Sequence, residues 1–120
     1  MEPTREQIIE AIQGICEYDT KLIAACEDIM EDLKTGKITL LSKMMQNIIQ
    51  GINWTVEVLN RTMDTFNEGK ERLNKEELNS ALVSFSTAYE TGDGARVAEA
   101  IHNAIIPFLH KVCEAAQEIN

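Results

Sequence analysis

Residues 4–36 read TREQIIEAIQGICEYDTKLIAACEDIMEDLKTG, and this stretch decides the fold class. Its apolar side chains, Ile8, Ile12, Ile15, Leu22, Cys26, Ile29 and Leu33, recur at threes and fours. That spacing makes one face of an α-helix, where a strand would alternate. Thr4 opens the segment with Gln7 three residues on, a capping box in which hydroxyl and amide satisfy backbone groups reciprocally, and Pro3 stands just before it. Gly36 supplies the left-handed residue that stops it. A helix of about 30 residues is roughly 45 Å long.

The same period runs through the rest of the chain. A second helix is expected from about Thr39 to Phe66, with Leu41, Met45, Ile48, Ile52, Leu59 and Met63 on one line, followed by the loop NEGKER. Asn74 caps a third helix with Glu77 as its box partner, and Leu73 and Leu78 flank the cap as a hydrophobic staple. This helix carries Leu78, Leu82, Phe85 and Tyr89 and ends in TGDG. A fourth begins near Asp93 or Gly94 and carries Val97, Ile101, Ile105, Phe108, Val112, Ala116 and Ile119. Pro107 lies inside it, so a kink or break is expected between Asn103 and Pro107. Short loops favour antiparallel neighbours, so the expected architecture is all-α: an up-down four-helix bundle, residues 1–120 as a single domain without internal repeats. The third helix is about half as long as the first, so a loop, the kinked fourth helix or a partner must cover part of the core.

Charge narrows the function classes. The 120 residues hold 20 acids and 11 bases, a net charge of −9, which leaves no basic footprint for nucleic acid or an anionic membrane. No apolar run approaches the roughly 20 residues of a membrane span, and the start MEPTREQ lacks the basic and apolar regions of a signal peptide, so a cytoplasmic location is expected. Three cysteines without a CxxC fit reduced packing thiols better than disulfides or zinc.

Two features depart from a plain bundle. On the second helix, apolar or small side chains cover an arc of about 220°, from Trp54 through Leu40, Val58, Gly51 and Met44 to Ile49. Its polar edge is rich in Gln46, Asn47, Gln50, Asn53 and Asn60 and poor in charge. Residues 35–66 hold two acids and three bases, against nine acids and three bases in the first 34. Either this helix is buried between two neighbours, or Leu40, Met44, Gly51, Trp54 and Val58 form a seam for a second copy or a client helix. The other departure is Asp19, in the middle of the first helix's apolar arc. An antiparallel second helix puts it level with Trp54 and Thr55, and an antiparallel fourth helix level with Ala104, one turn from His102. A small buried polar layer, in which Asp19 accepts from His102, from the Thr55 hydroxyl or from the Trp54 indole, is one expectation, and a bent or wet end that exposes Asp19 is the other.

Catalytic patterns are thin. Glu99 and His102 form one ExxH, where a di-iron bundle uses two, and His110 makes no second because Pro107 stands three residues before it where the motif needs glutamate. Glu27, Asp28, Glu31 and Asp32 read as a solvated acidic face, and Glu90 and Asp93 are separated by a glycine turn. Cys16, Cys26 and Cys113 lie on or beside apolar stripes, and Gly92 and Gly94 follow no strand that would make them a phosphate cradle.

The stretch from Phe85 through Gly92, Asp93, Ala98 and Pro107 to Leu109, with Gly51–Thr62, resembles small uncharacterised helical-bundle proteins of Firmicute-like bacteria, in which aspartate often stands where this chain has Glu99. The resemblance implies a bacterial cytoplasmic bundle and supplies no catalytic residue. By size and helix count the chain is also similar to flagellar export chaperones, small bundles that hold a client segment. The resulting reading is a non-enzymatic protein–protein interaction module without cofactor or metal, a homodimer or the holder of a client helix, with no nucleic-acid or membrane partner. The competing reading is a small metal-dependent hydrolase using carboxylates of the first and fourth helices.

Overall fold

Local signals set the helix ends. In the computed structural model, which describes residues 4–119, α1 spans Arg5–Thr35. The Gln7 amide donates to the Thr4 hydroxyl at 3.2 Å, the Thr4 amide donates to Gln7 Oε1 at 2.9 Å, and Gly36 ends the helix at φ 78°. Pro3, read as the residue before the cap, lies outside the described residues.

Helix α2 spans Lys43–Phe66 and so begins later than its apolar pattern predicts. The Ser42 hydroxyl accepts from the Met45 amide, and the Ser42 amide closes a turn onto the Thr39 carbonyl. Leu40 and Leu41 therefore belong to the connecting turn, although their hydropathy continues the helical stripe. In the loop after α2, Asn67 Oδ1 accepts from the Arg72 and Leu73 amides while its Nδ2 donates to the Leu73 carbonyl.

Helix α3 spans Lys75–Glu90, with Asn74 Oδ1 accepting from the Glu76 and Glu77 amides. The Glu77 carboxylate reaches across to Lys111 instead of closing a box. Leu73 and Leu78, the expected staple, are both buried.

The last helical rod comprises α4 (Gly94–Ala100), a π-helical segment (Ile101–Ile105) and α5 (Ile106–Gln117). Asp93 caps its start by accepting from the Ala95 amide. Right-handed helical backbone continues through Ala100, Ile101, Ile105 and Ile106, so Pro107 does not break the rod. The Ile106 amide donates to the Ile101 carbonyl, five residues back. This wider turn accommodates a proline that has no N–H to give and whose ring would crowd the carbonyl four residues before it.

The four rods form an up-down bundle, with α4, the π segment and α5 as the fourth. Antiparallel α1 and α2 meet at Tyr18–Trp54, Asp19–Thr55 and Leu22–Gly51. Antiparallel α1 and the fourth rod meet at Leu33–Gly94 and Cys16–Cys113. Gly94 permits that close approach, since a Cβ there would lie 2.6 Å from the Leu33 carbonyl oxygen. One apolar core runs through all four rods, with Ile12, Ile15, Ile29, Met45, Leu59, Phe66, Ile101 and Val112 among its fully enclosed side chains. The molecule measures 45 × 25 × 24 Å, its long axis matching the length of α1.

Candidate functional site

Asp19 is fully buried, and Thr55 Oγ1 donates to its Oδ1 at 2.6 Å. Its Oδ2 meets no hydrogen-bond donor among the described residues. Loss of hydration pushes the Asp19 carboxyl up to about 6, and the Thr55 hydroxyl only partly offsets this. His102 takes no part in this pair. It is exposed, because Val97, Ala98, Ile101 and Ile105 occupy the inward positions of the fourth rod. The Leu33–Gly94 and Cys16–Cys113 contacts also set the register so that Asp19 lies beside the Leu109 turn, beyond the Ala104 turn expected from helix ends alone. Trp54 leaves Asp19 to Thr55 and packs on Tyr18, with ring centroids 4.6 Å apart and planes tilted by 50°.

That aromatic pair stands at one end of a shallow groove between α1 and α2. Tyr18, Lys21, Leu22, Ala25 and Ile29 line it from α1 and Met44, Asn47 and Ile48 from α2, enclosing about 300 Å³. Met44 is 49% exposed and Tyr18 and Trp54 are each 40% exposed, so three large side chains present apolar surface around it. Gly51 is buried beneath this face: a Cβ there would lie 2.9 Å from Leu22 Cδ1 and 3.0 Å from the Tyr18 hydroxyl. Its small size therefore serves the approach of α1, and it offers no close approach to a second chain. Leu40 and Val58 are half-buried against the core, and the Leu40 carbonyl accepts from Tyr89 and from Gln46 of the same chain. Of the five seam candidates, Met44 and Trp54 present the free surface. Tyr18, which the sequence reading missed, joins them; its place one turn before Leu22 was the available signal.

Helix α3 is flanked by openings on both sides. Between α2 and α3 a groove of about 430 Å³ is lined by Gln46, Ile49, Ile52, Leu82, Phe85 and Tyr89, among others. Between α3 and the fourth rod, Ser80, Ala81, Ser84, Ala104, Pro107 and Lys111 border a more polar one of about 570 Å³.

The carboxylates and histidines do not converge. Glu99, His102 and His110 are exposed, as are Glu27, Asp28 and Glu31, while Asp32 is half-buried. Among the described residues no three His, Cys, Asp or Glu side chains form a group able to hold a metal ion. Cys26 is enclosed in the core, where burial pushes its thiol up to about 12, well away from nucleophilic use at neutral pH. No helix among the described residues is long and apolar enough to cross a membrane.

Fold and surfaces together define a small four-helix bundle with shallow grooves between its rods, the largest of them the most polar and the α1–α2 groove the smallest. The chain belongs to a family of domains of unknown function, DUF8042, whose model matches residues 10–115, from α1 into α5. No curated protein and no solved structure matches it.

Proposed function

We propose that this chain is a non-enzymatic interaction module of the bacterial cytoplasm that pairs with a second copy through the α1–α2 face. The observation that carries the reading is the exposure of Met44, Trp54 and Tyr18 around one groove. Aromatic and methionine side chains are the types that interface centres favour. The α2 side of the groove supports self-pairing in particular, since its lining there, Met44, Asn47 and Ile48, holds no charge where a net charge of −9 would otherwise repel an identical partner. Sedimentation velocity over a concentration series tests it. The wild type is expected to form a dimer that dissociates on dilution, and Met44→Glu with Trp54→Glu to remain a folded monomer. A wild type that stays monomeric at millimolar concentration removes the proposal.

A client helix in the α2–α3 groove is the second reading, favoured by the apolar lining from Ile49, Ile52, Leu82 and Phe85. It predicts that Leu82→Arg abolishes client binding while leaving self-association intact. Loss of both together would assign them to one surface.

A further inference from the structure

Cys16 and Cys113 are far apart in sequence and face each other across the α1–α5 contact. The Cys113 thiol donates to the Cys16 carbonyl at 3.4 Å, and the Cys16 thiol donates to the Cys113 carbonyl at 3.7 Å. For each sulfur to reach the other residue's backbone, the two side chains must cross in the interface. Thr20 closes the cluster: its hydroxyl donates to the Cys16 carbonyl at 2.8 Å and its oxygen lies 3.8 Å from Cys113 Sγ. Exposure separates the two thiols, Cys16 being half-buried and Cys113 buried. The third cysteine, Cys26, is fully enclosed elsewhere in the core.

We propose that Cys16 and Cys113 are a redox site that closes into an intramolecular disulfide when the chain meets a low-molecular-weight disulfide oxidant, tying α1 to α5. Cys16 reacts first because solvent reaches it. It loses its proton, and its sulfur attacks one sulfur of the oxidant, breaking the oxidant's S–S bond and releasing one small thiol. Cys113 then loses its proton and attacks the Cys16 sulfur, forming the Cys16–Cys113 bond and releasing the second small thiol. The two protein thiols lose two electrons and two protons, and the oxidant gains both as two thiols. The weak S–H···O contacts are given up as the sulfurs swing into bonding distance.

The resolving step is the slow one. Burial first, and then the contact with the Cys16 thiol, push the Cys113 thiol up to about 12, so little thiolate is present at neutral pH and closure accelerates with rising pH. Once formed, the bond joins residues 97 positions apart and restricts most of the unfolded chain.

The test uses the full chain and oxidised glutathione at pH 8, followed by alkylation and intact-mass and peptide analysis without reduction. The expected product is a monomer lighter by two hydrogens, with Cys16 and Cys113 peptides linked, Cys26 alone alkylated after unfolding, and a thermal midpoint raised on the order of 10 °C until dithiothreitol is added. Cys16→Ser is expected to fold, to take up no glutathione and to show no thermal shift. Cys113→Ser is expected to stop at a glutathione adduct on Cys16. A lasting glutathione adduct on wild-type Cys16, a disulfide-linked dimer, or three alkylated cysteines would each overturn the proposal. The result is independent of the self-association reading, since both thiols lie on the α1–α5 contact and away from the α1–α2 groove.

Discussion

At the scale of single residues, Asp19 is a carboxylate fully buried in the core. One oxygen is served by Thr55 and the other meets no donor among the described residues, so ionisation inside the bundle is penalised. The folded carboxyl titrates near 6, against an unfolded value near 4. A group whose pKa is raised on folding contributes stability that is complete below the unfolded value and is lost as pH rises through the folded one. A shift of this size corresponds to about 3 kcal/mol, lost between roughly pH 4 and pH 7. Urea titrations across that window are expected to show the wild type losing this amount relative to Asp19→Leu, whose stability should change far less with pH. Parallel curves would mean that Asp19 is hydrated in solution. Thr55→Val removes the one contact that favours the ionised form, and its deficit is expected to grow from pH 4 to pH 7. The Asp19–Thr55 pair was legible in the sequence, because a carboxylate in an apolar stripe and an antiparallel neighbour are both set by helical geometry. The expected third member, His102, failed because reading a partner on the fourth rod also requires its register, and that depends on how closely Gly94 seats against Leu33.

At the scale of elements, the caps were legible and the crossings were not. Thr4 with Gln7, Gly36, Asn74 and Asp93 act on backbone groups within a turn of themselves, so their sequence context suffices. The start of α2 misleads because hydropathy runs on through Leu40 and Leu41 while the Ser42 cap and the turn onto Thr39 fix the backbone. Pro107 marks a disturbance in the sequence, but its form, a π segment inside a continuous rod, depends on which carbonyl the ring must avoid. Two glycines test how tightly the helices cross. At Gly94 a methyl group would press on the Leu33 carbonyl oxygen, which belongs to backbone and cannot rotate away, so Gly94→Ala is expected to cost about 1–3 kcal/mol as α1 and α4 separate. At Gly14, inside α1, a methyl group would meet nothing within 4 Å, so Gly14→Ala is expected to stabilise by about 0.5–1 kcal/mol. Chemical denaturation of the pair checks both signs, and equal effects would show that α1 and α4 are not in close contact.

At the scale of the whole molecule, charge bears on the pairing proposed for the apolar face. Each copy carries −9, with the first 34 residues of the chain the most acidic part and α2 nearly neutral. Two copies meeting at Met44 and Trp54 bring few charges into contact but bring two acidic bodies together, so their repulsion acts over distance and is screened by salt. Raising sodium chloride from about 20 mM to about 200 mM shortens the Debye length from roughly 20 Å to under 10 Å, and the dimer is expected to tighten by several-fold to tenfold. A basic client helix would behave in the opposite way, since its attraction to acidic α1 is what salt removes. Sedimentation equilibrium at the two ionic strengths therefore separates the occupants of the face. Association that weakens with salt would assign the face to a cationic partner, and a salt-strengthened dimer that persists in Met44→Glu with Trp54→Glu would move the contact to another surface.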